Sequence, residues 1–372
     1  MGVIISNKNQ FSHFRADGYD LNNLTIVLTT FNRPLYLLRQ ILYLSNWNVS
    51  VEIVDGSDQP LNPQIVEFIG NEAPNINYRY LKLGLHKRIM DATSRIKTPF
   101  TMAMADDDLY LEHGIFQAIK ILEKDSKLSA CCGQILGLDS LTGKKHKEFY
   151  TFKYASNLMG YSVTNNEPLQ RIKYGTENYR SALFYSVYKT STFCKVWDYD
   201  VGSQFNEIME YESAIRTFLY GGFKTIPHVY MLRSFEIAQE PSQIDKNEHD
   251  EIIYLKNRIA KLFCEEGIAS ISNSESTADL IINNLFHQKQ SNSLSDQTLR
   301  SSLYEATVNI LDKNFLFYKI RSSKIWLRNR SYISWLLRRK INLKNKKGTE
   351  ENQYIEKILL FCTSFNIHHA VN

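Results

Sequence analysis

The stretch FTMAMADDD, residues 100–108, places three carboxylates directly behind an apolar run. The run from Phe100 to Ala105 predicts a strand buried on both faces, and a helical pattern follows over 115–122. The acids Asp106, Asp107 and Asp108 therefore lie in a strand-to-helix connection, at the edge where open α/β sheets bind ligands. Mg²⁺ or Mn²⁺, which prefer oxygen ligands, would offset these adjacent charges. The alternative is a solvated acidic turn or helix N-terminus, where aspartate is favourable by itself.

Composition is that of an ordinary globular chain. The 372 residues are 43% hydrophobic and 22% charged, enough for a large domain and a smaller second region. Without a run of 18 apolar residues, we expect no bilayer-spanning helix. The five cysteines, an odd number, argue against a disulfide framework, and they include no Cys-x-x-Cys pair for zinc. A reducing cytoplasm is the simplest location.

Charge is distributed unevenly along the chain. The net charge is +5, yet residues 313–349 hold 12 Lys and Arg and no acid. Trp326, Tyr332 and Trp335 lie among these basic residues, as in helices that rest on anionic membranes. A helix that packs on the main domain with a solvated basic face is the alternative. We expect no nucleic-acid partner.

Strand and helix patterns alternate through the first 130 residues. Residues 24–30, 51–54, 77–81 and 100–105 are predicted strands, and helices are expected near 35–42, 63–69 and 85–96. Polar clusters follow three of the four strands, as in a doubly wound sheet. The first strand is followed by neither a Gly-x-Gly-x-x-Gly nor a Gly-Lys-Ser/Thr motif, which argues against dinucleotide and P-loop sites. Edge strands are expected over 131–152.

Four motifs in order at strand ends resemble the nucleotide-sugar-binding half of GT-A fold glycosyltransferases, with bacterial family 2 types the closest likeness. They are TTFNRP at 29–34, DGSD at 55–58, the turn Gly84-Leu85 with Lys87-Arg88, and ADDD at 105–108. The likeness covers residues 24 to about 125 and continues more weakly to about 235. It implies an α/β fold with a Rossmann-like GT-A nucleotide-sugar-binding domain.

The resemblance also implies roles for single residues. Thr30, Phe31 and Asn32 would lie along the nucleoside, and Asp55 would accept a hydrogen bond from the base or the ribose. Arg88 would approach the diphosphate from a helix N-terminus, a place that favours anions. Asp106 and Asp108 would form the Asp-x-Asp (DXD) pair that holds Mn²⁺ or Mg²⁺, with Asp107 facing the ribose or the metal. Ala105 at the first motif position leaves this register open by one residue. For Asp55 the alternative is a plain turn, since DGSD is a good turn sequence in any protein.

A second acidic segment, residues 206–216, resembles the helix that carries the general base in this family. Aligning Arg216 with the arginine of that helix puts Glu210 where a carboxylate takes the proton of the acceptor hydroxyl. Glu207, one helical turn earlier, is the alternative base, and Glu212 points elsewhere on the helix. A solvated acid on an amphipathic helix is the other interpretation of Glu210. His228 is either a further metal ligand or a structural histidine.

These patterns predict a glycosyltransferase domain at 1–240 and a helical C-terminal region at 241–372. The expected function is metal-dependent, inverting transfer of a sugar from a nucleotide-sugar donor to a saccharide or lipid-linked acceptor in surface polysaccharide synthesis. The expected location is cytoplasmic, peripheral at the inner face of the membrane. Two alternatives are a non-catalytic nucleotide-sugar or carbohydrate-binding protein and a sugar nucleotidyltransferase. The latter usually has a Gly-rich basic loop after its first strand, which residues 29–34 lack.

Overall fold

The computed structural model describes residues 18–141, 149–154, 158, 160–199, 206–234, 248–270 and 272–286. Its strands are β1 (Leu24–Thr30), β2 (Ser50–Asp55), β3 (Ile76–Tyr80), β4 (Phe100–Ala105), β5 (Leu109–Tyr110), β6 (Leu128–Leu141), β7 (Phe149–Tyr154), β8 (Ser162–Val163), β9 (Val187–Lys189) and β10 (Gly222–Ser234). Its helices are α1 (Pro34–Leu44), α2 (Pro63–Glu72), α3 (Leu85–Thr93), α4 (Glu112–Lys124), α5 (Pro168–Glu177), α6 (Thr190–Trp197), α7 (Asn206–Tyr220) and α8 (Glu248–Glu265), with a short 3₁₀ helix at Ser181–Tyr185. Residues 272–286 form a further helix, α9.

One mixed sheet organises the fold, with the strand order β3-β2-β1-β4-β9-β6-β10-β5. Strands β1 to β4 are parallel, whereas β9 runs antiparallel to both β4 and β6. Strand order reverses on either side of β1, because the chain moves first to β2 and β3 and later returns to β4. This reversal makes the carboxyl ends of β1, β2 and β4 the place for a ligand.

The central strands are the apolar runs of the sequence. Every residue of β1 is buried, and so are the first five residues of β4, because helices cover both faces of the sheet. Three helices, α1, α2 and α5, begin at a proline, whose fixed φ angle and missing N–H suit the first helical turn. The predicted mixed α/β architecture is confirmed, and β1 and β4 have the predicted bounds.

Some expectations are wrong or fall outside the described residues. Edge strands are expected over 131–152, and this holds only for β7, which pairs with β6 alone among the described strands; β6 itself lies inside the sheet between β9 and β10, where Cys131 and Cys132 are fully buried. Helices α8 and α9 contribute Phe263 and Ile282 to the same hydrophobic core as the sheet. No helix in the described ranges is long and apolar enough to cross a membrane. Residues 313–349 and the predicted boundary at 240–241 lie outside the described residues.

Candidate nucleotide-sugar site

The predicted site residues meet at the carboxyl ends of three neighbouring strands. In the sheet register Thr30 of β1 is paired with Asp55 of β2, and Thr29 is paired with Ala105 of β4. The acidic loop, defined here as Asp106 to Asp108, follows directly after Ala105. The loops after β1 and β2 and the acidic loop therefore border one another, as the sequence predicts.

Helix α1 holds the backbone of the acidic loop in place. The amide of Gln40 donates to the backbone carbonyls of both Asp106 and Asp108, the first at 3.0 Å. The guanidinium of Arg39 donates to the carbonyl of Asp107 at 2.9 Å. Both side chains are buried, so these bonds are shielded from water and fix the turn. The backbone that carries the three carboxylates is thus held in one conformation by α1.

Asp106 is buried, and its pKa is shifted from the usual value of an aspartate. Its Oδ2 accepts a hydrogen bond from the Thr30 hydroxyl at 2.6 Å, and its Oδ1 lies 3.3 Å from the Arg33 guanidinium. Burial raises the pKa of Asp106 to about 6 and the charge of Asp107 adds to this, although the bonds from Thr30 and Arg33 act in the opposite direction. Asp107 is more exposed and accepts from Arg33 at 2.9 Å. A buried carboxylate whose pKa is raised is a candidate functional group.

The third acid, Asp108, belongs to a second group of charges that includes the predicted base. Strand β10 is antiparallel to β5, with Leu232 paired to Leu109, so the register brings Arg233 beside Asp108. Burial lowers the pKa of Arg233, but Tyr185, Asp108, Glu210 and Asp107 raise it, and the net direction is upward. The charge of Glu210 on α7 therefore acts on the same arginine as the charges of Asp107 and Asp108.

The loops after β1 and β2 are tied together by Asn32. Its side chain exchanges two hydrogen bonds with Asp58, from Nδ2 to Oδ2 at 2.9 Å and from the Asp58 N–H to Oδ1 at 3.0 Å. Its own N–H donates to the Ser57 hydroxyl at 2.8 Å, and its φ of 54° is one that asparagine tolerates. Beside it the Phe31 ring is 42% exposed, an apolar surface next to a polar loop. Asn32 therefore has a structural role here, and Phe31 is available to a ligand.

Asp55 is buried at the end of β2. One carboxylate oxygen accepts from the Ser57 N–H at 2.9 Å and the other from the Tyr78 hydroxyl at 2.8 Å. These bonds orient the carboxylate, in part as the turn interpretation of DGSD expects. Its contact with a base or ribose stays a prediction.

Arg88 bonds to the backbone at the ends of β1 and β2. Its guanidinium is buried and donates to the carbonyls of Thr30 and Val54. A Cβ on Gly56 would lie 2.5 Å from the Arg88 Cζ, so glycine at this position makes room for the guanidinium. Arg88 thus joins two strand ends from the start of α3, and its predicted contact with a diphosphate stays a prediction.

Glu212 is bound differently from Glu210. It is 1% exposed and pairs with Arg216 of its own helix at 2.9 Å and with Arg258 of α8 at 2.8 Å. Both arginines also lie over the ring of Tyr199, at 4.4 and 4.9 Å. Glu212 is therefore structural and points away from the predicted base, as expected. The side chain of Glu207 lies outside the described part of the structure.

His228 contacts another histidine. Its Nδ1 lies 3.4 Å from Nε2 of His113, whose Nδ1 is 2.8 Å from the Tyr19 hydroxyl. These contacts fit the structural interpretation of His228.

The acidic loop fits a divalent metal in donor chemistry. Asp106 and Asp108 are buried carboxylates on a fixed turn, which suits Mg²⁺ or Mn²⁺. Within the described ranges, no group of three or more His, Cys, Asp or Glu side chains is arranged to hold a metal ion. Phosphate oxygens of a ligand would have to complete the coordination, as is usual where Mg²⁺ binds a nucleotide.

Two site residues were missed by the sequence analysis. Arg33 lies inside the quoted TTFNRP motif, and Arg233 is the second-last residue of β10, the strand that follows the acidic helix. Their positive charges within or next to polar motifs were the available signal. Sequence spacing does not reveal which carboxylate an arginine faces.

A four-strand parallel half with an acidic loop at its switch point is the arrangement of a GT-A glycosyltransferase-like fold. Among solved structures, the chain is similar to S. aureus TarS 1-349 in complex with UDP-GlcNAc, with a TM-score of 0.50 and 15% identity over 73% of this chain and 75% of that one. For another structure of S. aureus TarS 1-349 the TM-score is 0.47, with 13% identity over 73% of this chain and 74% of that one. No protein-family model and no curated protein sequence matches the chain.

Proposed function

We propose that this chain is a glycosyltransferase that uses a nucleotide-sugar donor. The observation that carries the proposal is the convergence of Thr30, Asp55 and the acidic loop at one edge of a GT-A-like sheet, with Glu210 and the acidic loop acting on the same arginine, Arg233. These groups come from four separate segments of the chain, and a solvated acidic turn would not require them to meet. The TarS complex with UDP-GlcNAc makes a UDP-sugar the first donor to test.

Donor binding rests on the loops after β1 and β2. The exposed ring of Phe31 supplies a face for the nucleoside, and the oriented carboxylate of Asp55 supplies an acceptor for its N–H or hydroxyl groups. Thr30 and Asn32 flank Phe31 in the chain and tie its loop to Asp106 and Asp58, respectively. Because these groups are already held by hydrogen bonds, little side-chain entropy is lost on binding.

The acidic loop would hold the diphosphate end of the donor through Mn²⁺ or Mg²⁺. A bound divalent cation would neutralise the charge that develops on the leaving diphosphate. Asp106 and Asp108 are the proposed ligands, with Asp107 beside them. The raised pKa of Asp106 means that the carboxyl group must lose its proton for this role.

Glu210 is the proposed general base of an inverting transfer. The support for this role is that Glu210, like Asp108, acts electrostatically on Arg233 of β10. Glu210 would accept the proton of an acceptor hydroxyl as that oxygen attacks the anomeric carbon. We propose a saccharide or lipid-linked acceptor in surface polysaccharide synthesis, with residues 313–349 as a contact to an anionic membrane surface.

Calorimetry tests the donor site. UDP should bind more tightly with Mn²⁺ than in EDTA, and Asp108→Ala should abolish that difference. Asp279→Ala, which removes a half-exposed carboxylate paired with Lys256, is the matched control and should behave like the wild type. Equal UDP affinity in EDTA and in Mn²⁺ would refute the metal-dependent site.

A further inference from the structure

Arg33 reaches across the site and contacts two carboxylates of the acidic loop. Its Nη1 lies 2.9 Å from Oδ2 of Asp107 and 3.3 Å from Oδ1 of Asp106. It comes from the loop after β1, whereas the carboxylates follow β4. The side chain is only a quarter exposed, so water screens these charges incompletely.

One of the two carboxylates that Arg33 contacts, Asp106, is a proposed ligand of the metal, and the other, Asp107, lies beside it. The other oxygen of Asp106 already accepts the Thr30 hydroxyl at 2.6 Å, so Arg33 takes the remaining one. A guanidinium and a divalent cation at adjoining oxygens repel each other strongly at this depth. The metal and Arg33 therefore compete for the same negative charge.

A diphosphate changes this competition. Its oxygens carry negative charge into the site beside the acidic loop and offer Arg33 a new bidentate partner, for which guanidinium is well suited. Once Arg33 can bond to phosphate, its pairs with the carboxylates are replaced, so the metal can bind these carboxylates with little loss of free energy. Metal and nucleotide would then favour each other by the same factor, since coupling is reciprocal.

Building on the proposed function, we infer that Arg33 makes the affinity of the acidic loop for a divalent metal depend on bound nucleotide. Without a nucleotide it is the counter-ion of Asp106 and Asp107 and keeps divalent cations weakly bound. With a nucleotide it turns to the diphosphate and releases those carboxylates to the metal. Arg33 thereby couples the loop after β1 to the acidic loop.

Titration of Mn²⁺ into Arg33→Gln, followed by electron paramagnetic resonance of free Mn²⁺, tests this inference. In the absence of nucleotide the variant should bind Mn²⁺ roughly tenfold more tightly than the wild type, the effect of losing a charge-assisted competitor. The factor by which UDP tightens Mn²⁺ binding should fall by a similar amount. Arg33→Lys, which keeps the charge, should stay close to the wild type.

Arg79→Gln is the matched control. Arg79 pairs with Asp91 at 3.7 Å on the protein surface, so its loss changes the net charge equally without touching the acidic loop. Its Mn²⁺ affinity should be that of the wild type. A second measurement is thermal unfolding, in which Mn²⁺ alone should raise the melting temperature of Arg33→Gln more than that of the wild type.

The outcomes separate the two proposals. Equal or weaker Mn²⁺ binding by Arg33→Gln overturns the inference about Arg33, and so does an equal gain in Arg79→Gln. A wild-type protein that binds no UDP, with or without Mn²⁺, overturns the proposed function instead. In that case the titration with Mn²⁺ alone still decides whether Arg33 competes with the metal.

Discussion

Two clusters of carboxylates and arginines lie in this fold, and they differ in how completely their charges are matched. Glu212 is enclosed by Arg216 and Arg258, which bond to both of its oxygens. The three carboxylates of the acidic loop and Glu210 share two arginines: Arg33 contacts Asp106 and Asp107, and Arg233 lies beside Asp108. The first cluster joins helices α7 and α8, whereas the second leaves negative charge at the edge where a ligand would bind. A complete match stabilises the fold, and an incomplete match prepares a binding site.

Breaking the cluster of Glu212, Arg216 and Arg258 should have the largest effect on stability. Glu212→Gln leaves two largely buried arginines without their carboxylate, which typically costs about 3–5 kcal/mol of unfolding free energy. Urea denaturation measures this loss. Glu265→Gln is the control, because its pair with Lys261 is exposed and contributes about 0.5 kcal/mol or less. A loss below 1 kcal/mol in Glu212→Gln would remove the distinction between the clusters.

Two positions away on the same helix, Glu210→Gln should leave stability unchanged and abolish transfer. If Glu210 is the base, its loss should lower the rate about 10²-fold or more. Release of UDP from a UDP-sugar measures turnover, and calorimetry shows whether the donor still binds. Wild-type turnover in this variant would move the base to Glu207 or elsewhere.

Removing the charge of Asp106 from the acidic loop should stabilise the metal-free protein. The pKa of Asp106 is raised from 3.8 to about 6, so between these values the folded state binds more protons than the unfolded state. Stability therefore falls as pH rises from about 4 to about 6 and then levels off. In EDTA, Asp106→Asn should gain about 1–2 kcal/mol over the wild type at pH 7.5 but little at pH 4. A difference independent of pH would show that burial of this charge is not costly.

The smallest effect is expected where a charged pair lies on the surface. Arg79→Gln should change the unfolding free energy by about 0.5 kcal/mol or less, because the side chains of Arg79 and Asp91 are 39% and 31% exposed and their pair is long, at 3.7 Å. Chemical denaturation beside Arg33→Gln measures this. If Arg79→Gln lost as much unfolding free energy as Arg33→Gln, the pairing of Arg33 with the acidic loop would contribute no more to stability than a surface pair.

The sequence predicts the parallel half of the sheet well because its signal is local. The apolar runs of β1 and β4 are long enough to leave one interpretation, and their ends locate Thr30 and the acidic loop. Helix α3 was predicted to reach Ile96 but ends at Thr93. The interior position of β6 depends on pairing with β9 and β10, which are distant in sequence, and periodicity carries no information about that.

The site was predictable in its residue types and less so in its partners. Asp106 to Asp108 stand out by their charge alone. The roles of Gln40 and Arg39 depend on how α1 packs beneath the loop, since each donates to a backbone carbonyl more than 60 residues away. The same holds for Arg88, whose partners are carbonyls of β1 and β2. Tertiary hydrogen bonds to the backbone leave no pattern in a single sequence.

A crystal structure with UDP and Mn²⁺, measured at the manganese absorption edge, decides whether the acidic loop holds a metal ion against the diphosphate. We predict one anomalous peak between the acidic loop and the diphosphate, with Asp106 or Asp108 as ligands and Arg33 turned to the phosphates. A metal bound elsewhere, or UDP bound away from the ends of β1, β2 and β4, would contradict this prediction.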